Sequence, residues 1–187
     1  MTSRYEICLF RHGKVEFDSW RWVSATSFRE HVDCYNSQPI QQKFSAPSSP
    51  RGFGVVVCSN LLRSTESAQM LFQRFDLSSP IFREAELPDF PPLSLKLPFF
   101  VWLIIARGIW RCGAARNCES HADFKRRAKA AAHDLAEIAH SNTSIAFVGH
   151  GLINMYIAQE LSRLGFEGPA TPSREYSAGT MYVLVES

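Results

Sequence analysis

The chain has 187 residues, of which 45% are apolar and 20% charged, and its formal net charge is +2. That length supports one domain with a sizeable core, read here as residues 1–187, and the charge is too small to imply nucleic acid or an anionic membrane surface as a partner. The 5 cysteines have neither disulfide-framework nor zinc-ribbon spacing. With a strand-like segment starting almost at the N-terminus, they point to reduced thiols and a cytoplasmic setting.

In chain order, Tyr5 to Phe10 reads as the first buried strand, and Gly54 to Cys58, Ile145 to Val148 and Met181 to Val185 as three more. Each is short, rich in β-branched or aromatic residues, and bounded by Gly, Ser, Asn or His. Helical patterns lie between them. Leu62 to Phe75 carries Leu62, Ala68, Leu71 and Phe72 at roughly helical spacing. His121 to His140 has an apolar stripe of Phe124, Ala128, Ala131, Leu135 and Ile138, with Ser120 as its N-cap. Leu152 to Leu164 stops at Gly165.

Two regions do not fit this alternation. Residues Ser37 to Gly52, rich in Pro, Ser and Gln, read as a surface loop, and Pro80 to Pro98 as a proline-rich irregular excursion carrying Glu84 and Glu86. The apolar run from Leu97 to Trp110 is interrupted by Arg107 and Gly108 and is too short for a membrane span. It reads as a core helix or a lid helix, with peripheral membrane contact as the lesser alternative. Strands alternating with helices predict an α/β fold around a mostly parallel sheet.

In such sheets ligands bind beyond the carboxyl ends of the parallel strands. Three polar clusters fall there: Arg11-His12-Gly13, Ser59-Asn60-Leu61-Leu62-Arg63, and Gly149-His150-Gly151. Two histidines, two arginines and a hydroxyl thus converge on one sheet edge, and the set suits a phosphoryl group. Arginine offers a planar fork of donors to phosphate oxygens, and a helix N-terminus adds backbone donors. Histidine keeps a free lone pair at neutral pH and needs no separate base to attack phosphorus. Gly13 lets the backbone come close to a ligand.

The blocks Leu9-Phe10-Arg11-His12-Gly13, Ser59 to Ala68 and Val148-Gly149-His150-Gly151 resemble, in order, the signature blocks of the phosphoglycerate mutase-like histidine phosphatase superfamily. The resemblance implies a three-layer α/β/α sandwich. It implies His12 as nucleophile, with Arg11, Arg63 and His150 holding the phosphoryl oxygens and Ser59 and Gly13 beside them. It also implies a carboxylic acid after the second helix, where Phe82-Arg83-Glu84 makes Glu84 the first choice and Glu86 the alternative. Asn117-Cys118-Glu119-Ser120 resembles the Gly-Glu-Ser block that opens a later helix, without its Gly-Gly lead-in. The hydroxyl and Asn that follow the histidine in many members are replaced by Lys14, Val15 and Glu16, so that phosphate contact is either absent or made by Ser24 from the next loop.

The expected function is hydrolysis of a phosphomonoester through a phosphohistidine, acting on a small-molecule ester without a cofactor. The alternatives are a phosphoglycerate mutase-type phosphotransferase and a non-catalytic phosphate-binding module on the same fold. The short chain favours the phosphatase, with residues 80–118 as an irregular or lid excursion. No His-x-x-x-His or paired-carboxylate spacing supports a metal site. If the run after Pro98 lines the site, it favours a substrate with an apolar or aromatic body.

Overall fold

The computed structural model of the protein describes residues 2–41 and 52–186. The strand β1 (Ser3–Arg11) is followed by a short strand β2 (Trp22–Ser24) and helix α1 (Phe28–Ser37). Then come β3 (Val55–Ser59), α2 (Leu62–Phe72), β4 (Leu77–Ser79) and a single 3-10 turn, Pro80–Phe82. After a long irregular stretch follow β5 (Lys96–Pro98), α3 (Phe99–Arg111), α4 (His121–Asn142), β6 (Ser144–Gly149), α5 (Gly151–Arg163) and β7 (Gly179–Glu186).

The main sheet has the order β4-β3-β6-β1-β7. The contacts β3–β4, β3–β6 and β1–β6 are parallel, and only β7 runs antiparallel, along β1. Successive side chains of a strand point to opposite faces. On one face Ile7, Leu9, Val57, Ile145 and Phe147 pack against α4 and α5. On the other, Cys8, Phe10, Val56, Cys58, Ala146 and Val148 pack against Ala68 and Leu71 of α2. The result is the expected α/β/α sandwich around a mostly parallel sheet.

The four expected strands and three expected helices all form, with ends shifted by a few residues. Ser120 caps α4, its hydroxyl accepting from the Asp123 amide at 3.1 Å. Gly165 takes the left-handed conformation after α5 (φ +92°), which ends that helix. Helix α2 stops at Phe72 rather than Phe75, because Gln73 turns left-handed there (φ 58°). Of the expected loop from Ser37 to Gly52, Ser37 closes helix α1, and residues 42–51 lie outside the described residues.

A second apolar cluster sits off the main sheet. Val23, Ala25, Phe28 and Val32 pack against Phe99, Trp102 and Ala106 of α3, and β2 pairs antiparallel with β5. The run from Leu97 to Trp110 therefore forms the end of β5 and helix α3, whose Phe99, Trp102 and Ala106 belong to this small core while Trp110 joins the main one. No helix among the described residues is long and apolar enough to cross a membrane.

One position shows how tightly the strand ends are packed. A β-carbon at Gly149 would collide with Asn154 Oδ1 and come within 2.5 Å of the Phe147 ring. Gly149→Ala is expected to cost about 1–3 kcal/mol through overpacking, read as a lowered denaturation midpoint with an unchanged slope.

Candidate active site

The β1–β6 register sets the site. Arg11 lies opposite Gly149, so His12 and His150 leave the sheet at the same level. The His12 amide donates to the Gly149 carbonyl at 3.0 Å and extends the ladder one step past the strand. Behind them the Asn154 amide group donates to the Phe10 carbonyl at 3.0 Å, tying α5 to the end of β1. The two imidazoles end with ring centroids 5.0 Å apart.

The tautomer of His12 follows from its partner. Its Nδ1 lies 2.7 Å from the Gly13 carbonyl oxygen, which can only accept, so Nδ1 carries the proton and Nε2 keeps its lone pair. Burial, then the neighbouring Arg63, push the His12 pKa down from 6.5 to about 3, with Arg11 adding to the effect. His150 is fully buried and is pushed well down by burial, Arg63, His12 and Arg11. Both rings are therefore neutral at pH 7.

Arg63 enters from the first turn of α2 and is itself buried. Its Nη1 donates to Asn36 Oδ1 at 2.9 Å, and its guanidinium lies 5.2 Å from the Tyr35 ring centre, so α1 aims it. The Gly13 amide donates to Ser67 Oγ at 2.7 Å, and that hydroxyl donates in turn to the Arg63 carbonyl. Arg11 stacks 4.2 Å above the Tyr176 ring and donates to the Arg174 carbonyl. Arg11 Nε, Arg63 Nε and both ring nitrogens of His150 are buried without a hydrogen-bond partner among the described residues. Buried donors without an acceptor are costly, and one anion placed among them would satisfy several at once.

Arg11, His12 and Arg63 line a cavity of about 530 Å³, and Glu84 and Glu86 line it too. Both Glu84 oxygens are held at the start of α5, accepting from the Leu152 amide at 2.9 Å and the Ile153 amide at 3.2 Å. The Glu84 charge acts on Arg63 and Tyr35. Glu86 instead accepts from the Glu119 amide at 3.0 Å, and its charge acts on Cys118. His150, fully buried beside His12, does not line the cavity.

Gly13 and Ser59 do not line it either. Gly13 is turned toward Ser67, and Ser59 Oγ is buried and accepts from the Leu61 amide at 3.3 Å, which shapes the turn into α2. Ser24 bonds Ser27 in the loop before α1. In its place α1 contributes Asn36 and Tyr35 to the wall. Arg29 and Arg107 line the cavity too. Arg107 donates to the Ala85 and Glu86 carbonyls at 2.6 and 2.8 Å and so fixes the segment that carries both glutamates. Its one sequence signal is a charge placed inside an apolar helix.

The depressed pKa values carry a sign for stability. Below pH 6.5 the unfolded histidines take up protons that His12 binds in the folded state only near pH 3. Stability is therefore whole above pH 6.5 and falls as the pH drops toward 3. Denaturant titrations across that window should show a steeper loss for the wild type than for His12→Asn.

A mostly parallel sheet in this order, with two histidines at the ends of its central strands, is the phosphoglycerate mutase-like fold, the fold of the histidine phosphatase superfamily. Among solved structures the chain is similar to phosphoglycerate mutase from Bacillus anthracis, at 16% identity and TM-score 0.64 over 98% of this chain and 89% of that one. It is similar to a mycobacterial glucosyl-3-phosphoglycerate phosphatase, at 17% identity and TM-score 0.56 over 96% and 90% of the two chains. It is similar also to the alpha-ribazole phosphatase of Shigella flexneri, at 16% identity and TM-score 0.53 over 96% and 95%. No protein-family model and no curated protein sequence matches the chain. At such identities the likeness carries the fold alone, and the chemistry rests on this chain's own residues.

Proposed function

We propose that the protein is a phosphatase that hydrolyses a small-molecule phosphomonoester through a phosphohistidine on His12. The observation that carries this reading is a neutral His12 with Nε2 free that lines one cavity together with Arg11, Arg63 and Glu84.

In the first step His12 Nε2 attacks phosphorus, forming the P–N bond as the P–O bond to the leaving group breaks. Charge gathers on the phosphoryl oxygens, where the Arg11 and Arg63 guanidinium groups stabilise it. Glu84 serves as the acid that supplies a proton to the departing oxygen. Glu84, now a carboxylate, takes a proton from water as that water attacks phosphorus. The P–N bond breaks, and phosphate leaves with His12 neutral again. Glu84 is preferred to Glu86 because it is fixed on the helix that follows His150 and acts on Arg63. Residues 80–118 close one side of the cavity within a single domain.

The reading is tested by mixing the protein with an aryl phosphate, quenching in alkali and sequencing the phosphorylated peptide. An alkali-stable, acid-labile phosphate on His12 is the expected result. Phosphate on another residue, or turnover with no phosphoprotein at any quench time, would refute it.

A further inference from the structure

Helix α3 divides into two faces. Phe99, Leu103 and Arg107, at spacings of four, line the cavity. The next stripe, Phe100, Ile104 and Gly108, faces outward and ends at the exposed Arg111. Within it Ile104 is 66% exposed and Phe100 is half-buried. Trp20 and Trp22, 70% and 65% exposed, extend it, and the Trp20 ring lies 4.6 Å from that of Phe100. The placement is built in: the Phe99 and Phe100 amides donate to the Arg21 and Ser19 carbonyls at 2.9 and 3.0 Å, which fixes the tryptophan loop to the start of α3.

Two exposed tryptophans beside an isoleucine and a phenylalanine form a surface that water disfavours. The cations around it, Arg21, Lys96 and Arg111, are exposed, α3 contains no acid, and Asp18 is the acid beside the tryptophans. A two-fold contact between copies would bring together two patches that each carry more cations than acids. Anionic headgroups would match them instead, and tryptophan with Arg and Lys is the composition that settles at a membrane–water boundary. Because α3 is too short to cross, it would lie in the surface with its outer stripe in the acyl region. Its other face borders the cavity, where Val32, Leu87, Phe99 and Leu103 supply an apolar wall.

We propose that this face rests on an anionic lipid surface, and that the substrate is a phosphomonoester of an amphiphile drawn from that surface, its phosphate at His12 and its apolar chain along α3. The substrate half rests on the phosphatase reading; the docking half does not. The test is flotation of the full chain with vesicles of phosphatidylcholine and phosphatidylglycerol, beside turnover of dodecyl phosphate in those vesicles and of butyl phosphate in solution. The wild type and His12→Ala should float equally, and high salt should release both. The double variant Trp20→Ser, Ile104→Ser should float at least about tenfold less, from the apolar area it no longer buries. It should lose a preference for dodecyl over butyl phosphate of about tenfold or more while its butyl phosphate turnover is unchanged. A wild type that stays with the unbound fraction overturns the proposal, as does equal flotation of the double variant or a dimer that this variant dissociates. Flotation with no cleavage of either phosphate by the wild type would remove the phosphatase reading and the substrate half together.

Discussion

His12→Ala is expected to lower kcat/KM for an aryl phosphate by about 10⁴-fold or more, the scale seen when a covalent nucleophile is removed from a site that acts as a unit. The size follows from the geometry. Nε2 is an uncharged lone pair that the local hydrogen bonding leaves free, because the Gly13 carbonyl accepts from Nδ1–H. Burial and the two arginines keep that lone pair unprotonated through the physiological range, so His12 needs no base. The substitution removes no charge at pH 7, and Arg11 and Arg63 remain. Vanadate or phosphate affinity should therefore change by less than about tenfold while turnover collapses. Equal rates in wild type and variant would end the nucleophile assignment. Collapse of binding together with turnover, in a variant whose circular dichroism matches the wild type, would make His12 a binding residue instead.

Much of this arrangement was legible in the sequence, and the reason is topological. A parallel strand delivers the residue after its end to one edge, so an Arg-His-Gly, an Arg and a Gly-His-Gly following three strand-like segments had to meet if those strands were parallel neighbours. The β1–β6 register shows that two of them are direct neighbours. What could not be read is of a different kind. The direction of β7 leaves no trace in a period of two, so its antiparallel pairing had no signal. Helix α1 buries only Phe28 and Val32 of its ten residues, too thin a stripe to stand out, and so Tyr35 and Asn36 carry no sequence signal as partners of Arg63. Ser59 stood at the right strand end, but a hydroxyl there can equally turn inward and accept from an amide two residues on, which is what it does. Hydroxyl position after a strand is decided by three residues of turn geometry, and composition does not encode it.

The proton donor makes the second large prediction, and it needs the right leaving group. A nitrophenolate departs with little help, so an assay on that ester reports His12 and the arginines and is nearly blind to the acid. With an alkyl phosphate the departing oxygen must be protonated, and Glu84→Gln should then lower kcat by about 10²–10⁴-fold. The nitrophenyl ester should lose far less in the first step. Glu86→Gln should leave both rates within about threefold, since that side chain serves the Glu119 amide and acts on Cys118 rather than on the arginines of the site. Glu84→Gln carries one confounding effect that can be separated. Glu84 accepts from both the Leu152 and Ile153 amides at the start of α5, and a carboxamide has one acceptor oxygen for the two. A helix N-terminus deprived of a carboxylate and of one bond should cost about 1–2 kcal/mol of stability. That cost is independent of the leaving group, whereas loss of the acid is not. A variant that is slower on alkyl and aryl esters by the same factor would place Glu84 in the scaffold of α5, and a slope that steepens with leaving-group pKa would place it at the reacting oxygen.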